Sequence, residues 1–285
     1  MAAAVAAAVE TVPIRLDDNL SVPLIAASAL WTMSMVSADL LAATAAALPA
    51  VLAYALPANA AVAFAGYRAR TVSVSGAVAG ALIGTIIFAC AGWQGWLLLL
   101  VCFFCAAATS RMGVRRKTLL GIAEEHGGRR GAGNAIANTG VAMVAAVLAA
   151  LSYGHGAGLL GMTAALVAGA SDTIASEIGK AWGTHTWALL PPRPVRAGTS
   201  GAMSVEGTAA GFLGAAALTA LAIALGLVSR AELLPIVAGA TAGALAESLL
   251  AASLEGPGVL NNDALNLINT ALAAYVAVSI AGLLS

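Results

Sequence analysis

Residues 157–180 read AGLLGMTAALVAGASDTIASEIGK. The first fifteen of them carry no charge, and the whole block is long enough to cross a hydrocarbon core of ~30 Å as a helix. Yet Asp172, Glu177 and Lys180 stand in its last nine residues. An ionised side chain in hydrocarbon is expensive, so intramembrane acids usually face a cavity and carry function. Both features extend along the chain. Of its 285 residues 61% are hydrophobic and 9% charged, and the mean hydropathy is +0.94. That composition excludes a soluble globular enzyme and a disordered chain. Thirteen basic against thirteen acidic residues leave no net field to recruit a polyanion, which argues against nucleic-acid binding. Regular β alternation is missing, so an outer-membrane barrel is disfavoured.

The expected fold is an all-α, polytopic transmembrane helical bundle of about 8–9 spans, near 20–38, 41–66, 74–91, 93–109, 134–152, 157–180, 204–228, 233–254 and 264–284. Pro49, Pro57 and Asn59 predict that the second span is broken or partly re-entrant. With the N-terminus inside, twelve of thirteen cations fall at cytoplasmic segments and only Arg230 outside. The positive-inside rule predicts a cytoplasmic working face, and the expected location is the inner (cell) membrane. Gly76, Gly80 and Gly84, like Gly207 and Gly211, have spacings that close helix packing explains. Cys102 and Cys105 form a C-x-x-C read as apolar packing. His126, His155 and His185 lack metal-ligand spacing and read as interfacial polar residues.

Asp172, Glu177, Glu206, Glu247 and Asp263 are the acids that a surface role does not explain. Asp172 lies about 12 Å below the inner end of its helix, and Glu247 roughly 10 Å below its own. With Glu206 they are expected to meet in one pocket open to the inside. Asp172, Ala175, Ser176, Gly179 and Gly183 share one helical stripe. Glu177 points about 140° away, so it is a ligand from a distorted helix or, the favoured reading, a partner of Lys180. The segment Gly198-Thr-Ser-Gly-Ala-Met-Ser-Val-Glu206 opens a span. It reads as a phosphate cradle with Glu206 on a metal, or simply as a capped helix start. Asn262, Asn266 and Asn269 keep one face, for interhelical bonds or a ligand. The loop Ser110–Gly133 holds six cations against Glu124 and Glu125. It serves topology and anionic headgroups, or clamps phosphates through Arg129 and Arg130. Acids suited to Mg²⁺ beside phosphate donors describe phosphoryl transfer, which needs mainly metal, positioning and neutralisation.

Asp172-Thr-Ile-Ala-Ser-Glu-Ile-Gly179-Lys-Ala-Trp-Gly183 resembles the D-x-x-A-x-x-x-G-x-x-x-G pattern of the CTP-dependent dolichol and phytol kinases. Ser204-Val-Glu206-Gly207-Thr208 resembles their K-[ST]-x-E-G-[ST] element, with Met203 in place of the Lys, so a Lys contact to the nucleotide is not carried over. From about residue 60 onward the chain resembles the phytyl-phosphate kinase family of integral membrane proteins. The matches are Lys117–Arg130, Ala137-Asn138-Thr-Gly140-Val, Ala170–Glu177, Gly198-Thr-Ser-Gly201 and Leu260-Asn-Asn-Asp263. The resemblance implies transfer of phosphate from CTP, or another nucleoside triphosphate, to an isoprenoid (prenyl or phytyl) monophosphate, giving the diphosphate.

The expected domains are residues 1–60 as extra membrane helices and 61–285 as the kinase-like transmembrane domain. Asp172, Glu206 and Glu177 are the expected catalytic residues, and Asp172, Glu206, Glu247 and Asp263 the expected Mg²⁺ ligands. Arg129, Arg130, Lys117, Ser176, Gly179, Gly183, Thr199, Ser200, Gly201 and Ser204 are expected around nucleotide and phosphates, with Asn138 and Asn262 orienting ligand or bound water. Expected partners are the lipid phosphate, the nucleotide and membrane lipids, with no nucleic acid; oligomerisation is left open. The alternatives are a lipid-alcohol kinase, a cytidylyltransferase making a CDP-lipid, and an ion-coupled transporter.

Overall fold

The computed structural model describes residue 27 and residues 30–122, 129–255 and 259–284. Glu124, Glu125, His126 and Arg15 lie outside the described residues, as do residues 20–26, 28 and 29 of the expected span 20–38. The described helices are α1 (Ala38–Arg68), α2 (Val74–Arg111), α3 (Val114–Leu119), α4 (Ala132–Leu151), α5 (His155–Trp182), α6 (Val205–Ala224), α7 (Leu233–Leu250) and α8 (Asn262–Leu284). All but α3 are long and apolar enough to cross a membrane.

One of these seven makes two passes. Laid straight, α2 would separate its ends by about 55 Å. Instead the Arg111 guanidinium donates to the Ala69 carbonyl at 2.7 Å, just ahead of the start of the same helix. The reversal falls at Gly92, with φ 69° and ψ −175°, a conformation that a side chain would oppose. Phe88 and Trp96 pack across it with ring centroids 5.7 Å apart. Arms 74–91 and 93–111 therefore form a hairpin, as the two expected spans require, and the described residues make eight passes.

The second expected span is not broken. α1 runs unbroken through Pro49, Pro57 and Asn59, and also across residue 60. Asn59 is buried, donates to the Ala55 carbonyl at 2.9 Å and accepts from Trp96 Nε1 at 3.0 Å. The Asn59 amide is thus satisfied within α1 and by the second arm of α2.

The connections alternate between two faces. Segments 69–73, 112–122, 129–131, 183–204 and 259–261 gather at one, and the turns at Gly92, Ser152–Gly154 and 225–232 at the other. Among the described cations only Arg230 belongs to the second face. At the centre stands α5, whose most apolar stretch is 72% buried against 6% for peripheral α1. Helix α6 crosses α5 closely, because a Cβ at Gly207 would lie 2.4 Å from the Ala175 carbonyl and one at Gly211 would lie 2.8 Å from the Ala175 Cβ. Gly76 and Gly84 are also closely packed, whereas Gly80 is not. Cys102 is buried among apolar side chains.

The loop between α5 and α6 is more ordered than a plain connection. It forms a three-stranded antiparallel sheet of β1 (Thr186–Leu189), β2 (Pro192–Pro194) and β3 (Ala202–Ser204), in the order β2-β1-β3. Pro192 and Pro194 donate no ladder bond, and the strand that holds them is at the edge. The sheet caps the polar end of α5 and α6.

Candidate functional site

Beneath that sheet is a polar cavity of about 410 Å³. α5 contributes Asp172, Ala175, Ser176, Gly179 and Lys180, so four of the five expected stripe residues line it. Gly183 does not, because it packs against Ser204. Glu247 enters from α7, Asn262 and Asn266 from α8, and Arg130 and Asn134 from the start of α4.

The loop Gly198-Thr-Ser-Gly201 forms another wall. Gly198 and Gly201 have φ of 86° and 68°. A Cβ at Gly201 would sit 2.5 Å from the Ser248 carbonyl, so only glycine lets the loop lie on the end of α7. There α7 widens into a π turn, Ala251–Glu255, and Ser200 Oγ donates to the Glu255 carboxylate. Ser204 lines the cavity too, but its hydroxyl caps α6 by accepting from the Gly207 N–H at 3.0 Å.

The acids separate into distinct surroundings. Asp172 makes no hydrogen bond or ion pair with a described side chain, and Lys180 is the cation in electrostatic reach. Glu247 Oε2 accepts from Asn269 Nδ2 at 2.8 Å, which orients the carboxylate toward the cavity. Glu177 is 1% exposed and bridges Lys117 at 2.5 Å and Lys180 at 2.9 Å. This is the pairing with Lys180 that its angle on the helix favoured, joined by a second cation from α3. Lys117 also donates to the Ser110 carbonyl at 2.7 Å, so it is buried in this network and does not line the cavity.

Glu206 lies on the other side of the α6 helix start. Its Oε1 accepts from the Thr184 N–H at 3.1 Å and from the Thr184 hydroxyl, and lies 3.3 Å from His185 Nδ1. Its neighbours Ser204, Gly207 and Thr208 line the cavity, whereas Glu206 itself does not. Its Oε2 is buried without a partner among the described residues.

Asp263 is packed on the start of α4, where a Cβ at Gly133 would fall 2.3 Å from its Oδ2, and it also stands outside the lining. Asn261 caps α8 through the Ala264 N–H at 2.8 Å. Asn138 donates to the Asn134 carbonyl at 3.0 Å and faces a separate apolar cavity. Arg129 is exposed beside the described edge of the basic loop.

Thus Asp172, Glu247, Arg130, Asn262, Ser176, Gly179, Thr199, Ser200, Gly201 and Ser204 are brought together. Glu206, Glu177, Asp263, Lys117, Asn138, Gly183 and Arg129 are not. Sequence reasoning did not select Lys180, Asn134, Asn266 or Glu255 as site residues. For Lys180 a signal was present, since Asp172, Ser176 and Lys180 recur at intervals of four.

Among the described residues no three His, Cys, Asp or Glu side chains form a metal-holding cluster. Two carboxylates with amides and hydroxyls remain a donor set suited to Mg²⁺, which commonly takes one or two carboxylates and completes its shell with water and substrate phosphates.

The fold defines an integral, multi-pass membrane protein with a polar cavity at one membrane face. The pattern of the family described as integral membrane protein DUF92 matches residues 57–274. The chain belongs to this family. An uncharacterised membrane protein of Synechocystis sp. is 38% identical over 205 residues, covering 70% of this chain and 78% of the relative. Protein VTE6, chloroplastic, of Arabidopsis thaliana is 35% identical over 214 residues, covering 73% of this chain and 64% of that protein. The chain therefore spans slightly less than two thirds of VTE6. A membrane protein of Methanocaldococcus jannaschii is 30% identical over 213 residues, 75% of this chain and 87% of the relative. No solved structure matches the chain.

Proposed function

We propose that the protein transfers the γ-phosphate of a nucleoside triphosphate, CTP by preference, to an isoprenoid monophosphate at the cytoplasmic face of the cell membrane, giving the diphosphate. The observation that carries this reading is the convergence of Asp172 and Glu247 with Arg130, Lys180 and the Gly198–Gly201 loop on one cavity at the positively charged face. Acids and phosphate-binding groups meet there within reach of the bilayer.

Asp172 and Glu247 would hold Mg²⁺, which when bound neutralises phosphate charge and orients the transferring group. The N–H groups of the glycine loop and the side chains of Lys180 and Arg130 bind phosphate oxygens, Arg130 by its planar fork. A phosphate oxygen of the acceptor forms the new P–O bond while the bond from the γ-phosphorus to the β,γ-bridging oxygen breaks and the nucleoside diphosphate leaves. The acceptor is already an anion near neutral pH, so no strong general base is needed. Glu206 holds the Thr184–His185 turn under the sheet, Glu177 holds α3 to α5, and both act as positioning residues.

The test uses purified protein, a prenyl monophosphate and CTP labelled in either the α- or the γ-phosphate. Label from the γ position alone should enter the lipid. Label from the α position would instead make the protein a cytidylyltransferase, and nucleotide-independent movement of lipid phosphate across vesicles would make it a transporter.

A further inference from the structure

A second cavity, of about 130 Å³, lies between α1, both arms of α2, α4 and α5. Its walls are apolar, with Val62, Ile83, Leu99, Phe103 and Leu166 among them. It adjoins the polar cavity, for Arg130 and Asn134 line both. Along the first arm of α2 it is bounded by two close contacts. A Cβ at Gly76 would lie 2.1 Å from the Arg130 carbonyl, and one at Gly84 the same distance from Asn59 Oδ1. These glycines are separated by about 12 Å of helix. Midway between them Gly80 lines the cavity, is exposed, and would offer a side chain open space for 4 Å. Close packing accounts for the outer two glycines of this series and not for the middle one. Among the described residues, the bundle has a window toward the bilayer at Gly80.

We propose that this cavity receives the phosphate-proximal part of an isoprenoid chain, which enters through the window at Gly80 and sets its phosphate at Arg130 and Asn134. The inference rests on the reading of the polar cavity as a phosphoryl-transfer site and names where its lipid substrate lies. An apolar cavity opening sideways into lipid and ending at Arg130, whose guanidinium also donates to Ser110 Oγ at 3.2 Å, matches an amphiphile with a hydrocarbon tail and an anionic head. Asn59, its polar groups engaged by Ala55 and Trp96, closes the deep end. A cavity of this size takes only the first units of the chain, and the remainder passes out into the bilayer.

The test is photolabelling in vesicles with a geranylgeranyl monophosphate that carries a diazirine on the hydrocarbon near the phosphate, mapped by peptide mass spectrometry. Labels are expected on the inward residues Ile83, Leu99 and Phe103. Unlabelled prenyl phosphate should compete for them, and phosphatidic acid should not. Gly80→Phe should lower this labelling by about tenfold or more, since open space at that position lets the ring fill the window without displacing a helix. Val78→Phe, on the exposed side of the same arm, should leave it unchanged.

Labelling confined to the exposed Phe64, Val78 and Leu82, insensitive to Gly80→Phe, would overturn the tail site. So would equal competition by phosphatidic acid. If the wild type labels in the cavity yet forms no diphosphate from any nucleotide, the tail site stands and the proposed function fails. If it forms the diphosphate while labelling stays on the exposed residues, the function stands and the tail site fails.

Discussion

Asp172 and Glu177 stand five residues apart on α5, and the molecule treats them in opposite ways. Glu177 is enclosed by Lys117 and Lys180, with both oxygens engaged. Asp172 opens into the polar cavity opposite Glu247, without an ion pair or hydrogen bond to a described side chain. Two carboxylates left to share one chamber repel each other, so the arrangement costs stability unless a ligand brings positive charge. The lesson is that carboxylate depth in the membrane does not by itself indicate chemistry. The ion-paired acid holds the helices together, and the open one is the group poised for a ligand.

The largest expected effects come from breaking each side of this contrast. Asp172→Asn or Glu247→Gln should lower γ-phosphate transfer by about a thousandfold, near 4 kcal/mol of transition-state stabilisation. Thermal unfolding in detergent should stay level or rise, because an unpaired charge is removed at little structural cost. Glu177→Gln should do the reverse. Leaving Lys117 buried with a neutral partner should cost about 3–5 kcal/mol of stability, seen as a lower melting temperature, with activity per folded molecule much less affected. Adding Lys117→Met to it should recover part of that loss, as coupled sites do.

A smaller effect is expected at the junction of the two cavities. Arg130→Ala should raise KM for the lipid phosphate by about tenfold and change KM for CTP less, since one charge-assisted contact is worth a few kcal/mol at most. The Arg130 backbone would still accept from Ser73. The smallest belongs to Glu206→Gln. Its contacts to the Thr184–His185 turn predict a small fall in melting temperature and a fall in activity below about tenfold. A loss matching that of Asp172→Asn would move Glu206 from the positioning role to the metal.

Much of this was legible in the sequence because lipid imposes simple rules. Apolar block length gave the passes, including the two arms on either side of Gly92, and the cation distribution separated the two faces. The stripe from Asp172 to Gly179 lines the cavity as helical periodicity requires. Other features depend on contacts between distant segments. Nothing near Lys117 in sequence indicates that it will be buried on Glu177, sixty residues away. The Pro49, Pro57 and Asn59 series reads as a break, and the Trp96 bond that satisfies Asn59 has no local signature. Depth, the phosphate-cradle reading of the α6 start and the Ser204–Thr208 motif all group Glu206 with Asp172. Which side of the α6 start it occupies is set by the sheet, which folds Thr184 and His185 onto it.

The most direct measurement compares wild-type protein with Asp172→Asn, both purified and shown to unfold at similar temperatures, in a thin-layer assay of [γ-³²P]CTP with a prenyl monophosphate and Mg²⁺. Labelled prenyl diphosphate formed by the wild type and lost in the variant is the predicted result. Equal labelling of the lipid by both proteins would contradict it.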